Sequence, residues 1–247
     1  MWPSWEQTLL IFAAAMLEGA VGFDFGLVAT PALGAVLGVR GAVVLLSLPN
    51  LGLALWKTVG GKMSAEQLHR LMPFLGAGGL GAAAGVFILL STPPAALKWG
   101  VGLLVLLCVA YSASRARFQL DSRDEVFFAY VLGFFAGAFS GLAYAGGPLV
   151  VIFLDSLGLS RARLVKLAHI TGLVFAAVQM AALSGAGALG EGRAMVSAMA
   201  LLPALAGFLV GRVMRGRFSP ALGYRAGLGL LIASTIALIA FGPAGWR

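Results

Sequence analysis

Charge is scarce in this chain. Asp, Glu, Lys and Arg make up 11% of its 247 residues, against about a quarter in an ordinary soluble domain. With 60% hydrophobic residues, that scarcity excludes a soluble fold. There is one cysteine, Cys108, so an intrachain disulfide and a cysteine metal cluster are excluded as well. Cys108 lies in an apolar run and reads as a small packing residue. The opening MWPSWEQ has no Lys or Arg before the first apolar run and so lacks the basic start of a cleavable signal peptide. The first segment is therefore expected to stay in place. No GxxxxGK[ST] sequence is present, so ATP coupling within the chain is not expected. Nothing calls for a cofactor or a metal.

What remains is a set of apolar runs, each long enough to matter against a hydrocarbon layer about 30 Å thick. They fall at Thr8–Val39, Gly41–Val59, Leu71–Leu90, Ala95–Ser112, Val126–Leu157, Leu164–Leu183, Ala194–Val213 and Tyr224–Phe241. The first and fifth are the longest, about 32 residues or about 48 Å as continuous helix. Glycines interrupt each near its middle, at GAVGFDFG from Gly19 and GLAYAGGP from Gly141. These breaks lie about half the chain apart, and each half continues with three ordinary spans. The expected fold is an all-α polytopic membrane protein of two repeats, residues 1–120 and 121–247, each a broken or re-entrant helical hairpin followed by three transmembrane helices.

Basic residues set the expected topology. If all eight runs crossed the membrane, the basic clusters would be split between the two faces, against the rule that such loops stay cytoplasmic. If the two long runs are hairpins, four clusters share one face: Lys57, Lys62 and Arg70; Arg115, Arg117 and Arg123; Arg161, Arg163 and Lys166; Arg212, Arg215 and Arg217. The other face keeps Arg40, Lys98, Arg193 and Arg247, and Arg225 lies near the start of the last span. Both termini are then outside, and the halves are inverted. With arms of about 15 residues, about 22 Å each, the hairpins stop short of crossing. The formal charge of +8 is explained by orientation, so no nucleic-acid partner is expected. Glycines at four-residue spacing, Gly133, Gly137 and Gly141, Gly81 and Gly85, and Gly207 and Gly211, read as close helix contacts, compatible with a homodimer.

Polar residues at membrane depth are expensive and so mark candidate sites. Asp24 stands at the tip of the first hairpin, either lining a cavity or capping the helix that begins at Phe25. Glu18 lies one and a half turns earlier and faces the same cavity or snorkels. Both hairpins turn into a helix whose N-terminus points at the midplane, which suits an anion. Gly146 and Gly147 allow close backbone approach there, with Pro148 at the first helical position. Pro49 frees a carbonyl, and Asn50, His169 and Thr171 either complete a polar site between the repeats or make interhelical hydrogen bonds. Glu18, Asp24 and His169 are the candidate proton carriers. Lys166 attracts an anion or merely orients the protein.

GAVGFDFGLVATPAL and GLAYAGGPLVVIFL, each followed by three spans, resemble the TauE/SafE family of sulfite exporters over essentially the whole chain. The resemblance implies a carrier of small sulfur-containing or organic anions, such as sulfite, a sulfonate or sulfoacetate. It implicates Gly22, Phe23, Phe25 and Pro31, and Gly141, Gly146, Gly147 and Pro148. Asp24 stands where a glycine is usual and Tyr144 where another small residue is usual. The expected function is a secondary transporter in a bacterial inner membrane, working on a small anionic solute. The alternatives are an intramembrane enzyme, with Ser140 or Ser156 as nucleophile and His169 as base, and a non-transport assembly protein.

Overall fold

The computed structural model describes residues 3–59, 65–114, 125–217 and 220–243. Lys62, Arg115, Arg117, Arg123 and Arg247 lie outside the described residues. Among the described residues every regular element is α-helical: α1 Trp5–Val21, α2 Phe25–Thr58, α3 Ala65–Ser91, α4 Pro94–Ser114, α5 Glu125–Ala143, α6 Gly147–Ser156, α7 Arg161–Gly185, α8 Glu191–Met214 and α9 Pro220–Phe241. Seven of these, all but α1 and α6, are long and apolar enough to cross a membrane.

Local chemistry sets the breaks. A capping box starts α1: the Ser4 hydroxyl accepts the Gln7 N–H at 3.3 Å and the Gln7 side chain accepts the Ser4 N–H at 3.1 Å, which satisfies two otherwise orphaned donors. Gly22, at φ 81°, ends it in the left-handed conformation that costs glycine nothing. Within α2 the backbone leaves helical geometry at Gly38, φ 75°. The chain folds back there, as one side chain demonstrates. Tyr144 packs its Cβ against Gly26 and donates its hydroxyl to the Val43 carbonyl at 3.1 Å, yet those residues would lie about 25 Å apart in a continuous helix. Gly26 to Leu37 is therefore a returning arm, and Val39 to Thr58 the span that follows.

The two hairpins differ in proportion. The second has a first arm of 19 residues, α5, and a returning arm of only 10, α6. Equal arms of about 15 residues were expected, with six full spans; α5 is long enough to cross and makes the seventh candidate. The short arm ends where Gly158 takes φ 64° and turns the chain into α7.

Glycine faces hold the bundle together. Lipid is as apolar as leucine, so backbone proximity must supply what the hydrophobic effect supplies in water. A methyl group at Gly133, Gly137 or Gly141 of α5 would collide with the carbonyls of Phe74, Gly78 or Ala82 of α3. One at Gly207 or Gly211 of α8 would collide with those of Phe12 or Met16 of α1. Residue numbers rise together in both interfaces, so α3 runs parallel to α5 and α1 parallel to α8. The packing reading of these glycines holds. At the near end of the α3–α5 pair, Arg70 grips Glu125 through two hydrogen bonds of 2.6 and 2.5 Å.

Three basic residues outside the four clusters hold helix ends or turns. The Arg40 guanidinium donates to the carbonyls of Leu89 and Thr92, Lys98 to that of Gly242 at 3.4 Å, and Arg193 to that of Ala188 at 3.4 Å. Arg40 and Lys98 thereby place positive charge at the C-termini of α3 and α9, where the dipole favours it, and Arg193 ties the α7–α8 turn.

Candidate functional site

The two breaks meet in the interior. Asp24 is the N-cap of α2; its Oδ1 accepts the Gly26 N–H at 3.1 Å. Its Oδ2 faces Gly147, the first residue of α6, where a Cβ would stand 2.9 Å from it. One carboxylate thus lies against the starts of both returning helices, where their dipoles are positive. The anion expected at this place is the protein's own. Capping and a position in the polar centre are here one arrangement rather than alternatives. Gly146 caps α6 without a side-chain hydrogen bond, Pro148 sits in its first turn, and Gly146 itself packs on the Ala136 carbonyl of α5.

Tyr144 seals the junction. It holds φ 56°, uncommon for a residue with a Cβ, and is buried with its hydroxyl engaged by Val43. Cys108 is buried against the same break, its thiol 3.8 Å from the Ala145 carbonyl, which agrees with a packing role. Phe23 meets Tyr224 in a tilted ring contact with centroids 5.8 Å apart and covers Gly227 of α9. Phe25 and Pro31 are buried in the returning arm, while Gly22 is exposed. Gly141 belongs to the α3 interface.

Glu18 is buried and ion-paired to Lys57, Nζ to Oε1 2.5 Å. Lys57 also interacts electrostatically with Asp24. Beside it opens a cavity of about 200 Å³ lined by Lys57, Thr58, Val59, Ala162, Val165, Lys166 and His169. Glu18, Asp24, Lys57 and His169 therefore form one polar group, running from the cavity to the hairpin breaks.

Two predicted residues stand elsewhere. Thr171 is buried with its hydroxyl donating to Leu167 of its own helix at 2.9 Å. Asn50 is half-buried in α2 beside Pro49. The carbonyl that Pro49 frees, that of Leu45, accepts the Ser197 hydroxyl of α8 at 2.9 Å, and the Ser197 Oγ in turn accepts the Leu48 N–H at 3.1 Å. The helix break is thus repaired from a neighbour. Gln179 does similar work for the second hairpin, donating to the Gly141 carbonyl at 3.1 Å. Among the described residues no hydrogen bond joins Ser140 or Ser156 to His169; Ser156 donates to Phe153.

Lys57, Ser197 and Gln179 escaped the sequence reading. Lys57 lies inside the apolar run Gly41–Val59, and a cation within such a run is itself a signal of a site beyond its use in orienting the chain. Ser197 and Gln179 carried none, because only the fold reveals which carbonyls need them.

The profile of the sulfite exporter TauE/SafE family matches residues 8–238. The chain belongs to that family. No curated protein and no solved structure matches it. The TauE/SafE match covers both hairpins and every helix around the polar group, and with seven candidate spans it makes the chain a multi-pass membrane protein of a transporter family for sulfite-type anions.

Proposed function

We propose that this chain is a secondary transporter that exports a small sulfur-containing or organic anion, such as sulfite, a sulfonate or sulfoacetate, across a bacterial inner membrane. The observation that carries the reading is the meeting of two broken hairpins around one carboxylate, with a cavity nearby whose Lys57 interacts electrostatically with that carboxylate. Irregular backbone at such depth is tolerated where it lines a solute path.

Residues 1–120 and 121–247 act as inverted repeats. The parallel pairs α1–α8 and α5–α3 support this, since each joins the first hairpin arm of one half to the second full span of the other. Access alternates as the halves rock about the shared breaks. The basic clusters face the cytoplasm, both termini lie outside, and Asp24, Glu18 and His169 are the groups that couple flux to protons.

Counterflow of labelled sulfite, sulfoacetate and taurine in proteoliposomes, with and without a pH gradient, tests the reading. Saturable exchange of at least one anion is the expected result. Absence of exchange for all three in folded protein sinks it.

A further inference from the structure

We propose that Lys57 binds the transported anion from the open cavity, and that Glu18 is a built-in competitor holding Lys57 while no anion is there. The inference rests on the reading of the chain as an anion carrier.

Three observations carry it. Lys57 is shared between two environments: its ammonium is bonded to Glu18, and its side chain lines the cavity. A solute in that cavity reaches Lys57 without any helix moving. Next, the ion pair is incomplete. Glu18 meets the ammonium through Oε1 and also interacts with the Phe25 backbone N–H, yet its buried Oε2 has no hydrogen-bond partner, whereas a buried carboxylate normally has both oxygens satisfied. A desolvated carboxylate with one oxygen left unsatisfied recovers only part of its desolvation cost from the pair. Third, the helix N-termini at the breaks already face Asp24. An arriving anion therefore finds its cation at Lys57, with Lys166 and His169 on the cavity wall.

An oxyanion of sulfur suits this position. It has three oxygens, so one accepts from Lys57 while the others stay toward water, a sharing that Glu18 cannot match from inside the bundle. Displaced, the Glu18 carboxylate would be buried without a partner, which is costly enough that it takes up a proton. The exchange balances in charge: the ammonium–carboxylate pair, one anion and one proton become an ammonium–anion pair and a neutral carboxylic acid. The other titratable or charged groups near this cluster are Asp24 at the break, the His169 imidazole of α7 and Arg215 just beyond α8.

The test is calorimetric titration of methanesulfonate and sulfoacetate into the purified full chain, in two buffers of different ionisation enthalpy, with counterflow measured alongside. Wild type is expected to bind and take up protons. Glu18→Gln is expected to bind about tenfold more tightly, because Lys57 is then always available, and to lose the proton uptake. Lys57→Gln loses binding, and Lys57→Arg keeps it. Should Lys57→Gln misfold around its unpaired carboxylate, the double variant Glu18→Gln/Lys57→Gln removes both charges and is expected to fold and not bind. Weaker or unchanged affinity in Glu18→Gln, or unchanged affinity in either Lys57→Gln background, overturns the assignment of Lys57. In that case wild-type counterflow persists and the carrier reading stands. A wild type that neither binds nor exchanges any anion overturns both.

Discussion

The two hairpin breaks solve the same problem with different chemistry. The first, Gly22 to Asp24, ends one helix on an exposed left-handed glycine and starts the next on a carboxylate. The second, Tyr144 to Gly146, carries no charge and places a buried aromatic residue in the left-handed region instead. The first break thus holds charge at the centre of the protein, and the second holds position by reaching across with one ring to Gly26 and Val43. The difference teaches that similar motifs at equivalent places need not contribute equally to a site. Only one of them brings a carboxylate.

Asp24→Asn gives the sharpest break in this contrast. The amide keeps an oxygen to cap α2, so folding is expected to survive while gradient-driven anion flux falls to background. Proteoliposome flux with a pH gradient, beside a thermal unfolding curve, measures both. Flux equal to wild type would take the charge out of the mechanism and make the two breaks functionally alike.

Gly26→Val attacks the contact where the breaks touch. The new side chain meets the Tyr144 Cβ, and overpacking of this kind costs about 1–3 kcal/mol. The unfolding midpoint in detergent should drop, and adding Tyr144→Gly, which removes that Cβ and relieves the positive φ, should recover part of the loss. No recovery would mean that Tyr144 is not what fills the space.

The contrast continues into the following spans, since α2 is interrupted by Pro49 while α7 has no proline. Ser197→Ala leaves the Leu45 carbonyl without its donor, a loss of about 1–3 kcal/mol for a buried acceptor. Hydrogen exchange should quicken locally around Leu45 and Leu48, with α7 unchanged. Uniform exchange in both spans would show that water or another donor replaces Ser197.

Tyr144→Phe is the mildest change. It removes one hydrogen bond to Val43 and keeps the ring, so about 1 kcal/mol of stability is expected to go with anion exchange retained. Loss of exchange would instead put the hydroxyl in the solute path and erase the division between a charged break and a positional one.

Scarce charge, eight apolar runs and two glycine interruptions half a chain apart were enough to read a helical membrane protein with broken hairpins, and the paired motifs were enough to suggest its family. The first break was legible because it depends on neighbours in sequence: Asp24 as a cap on the helix that begins at Phe25, and glycines interrupting the run before it. Glycine spacing was legible because its period is that of the helix itself. Asp24, Glu18 and His169 stood out for a simple reason, the cost of polar groups at membrane depth.

Partners were not legible. That Asp24 faces Gly147, that Glu18 holds Lys57, and that Ser197 repairs the gap left by Pro49 all depend on residues 39 to 152 positions apart, and nothing in a local pattern specifies which distant group arrives. Lys57 shows the limit best. By itself it is a basic residue at the end of an apolar run, where orienting the chain is sufficient explanation; beside Glu18 and an open cavity it is a half-buried cation that an ion pair and a solute path share. Sequence alone determined which residues are too costly to be in the membrane without a reason, because that cost belongs to each side chain. Only the tertiary structure decided what the reasons are, because hydrogen bonds and ion pairs belong to pairs of groups brought within about 3 Å of each other.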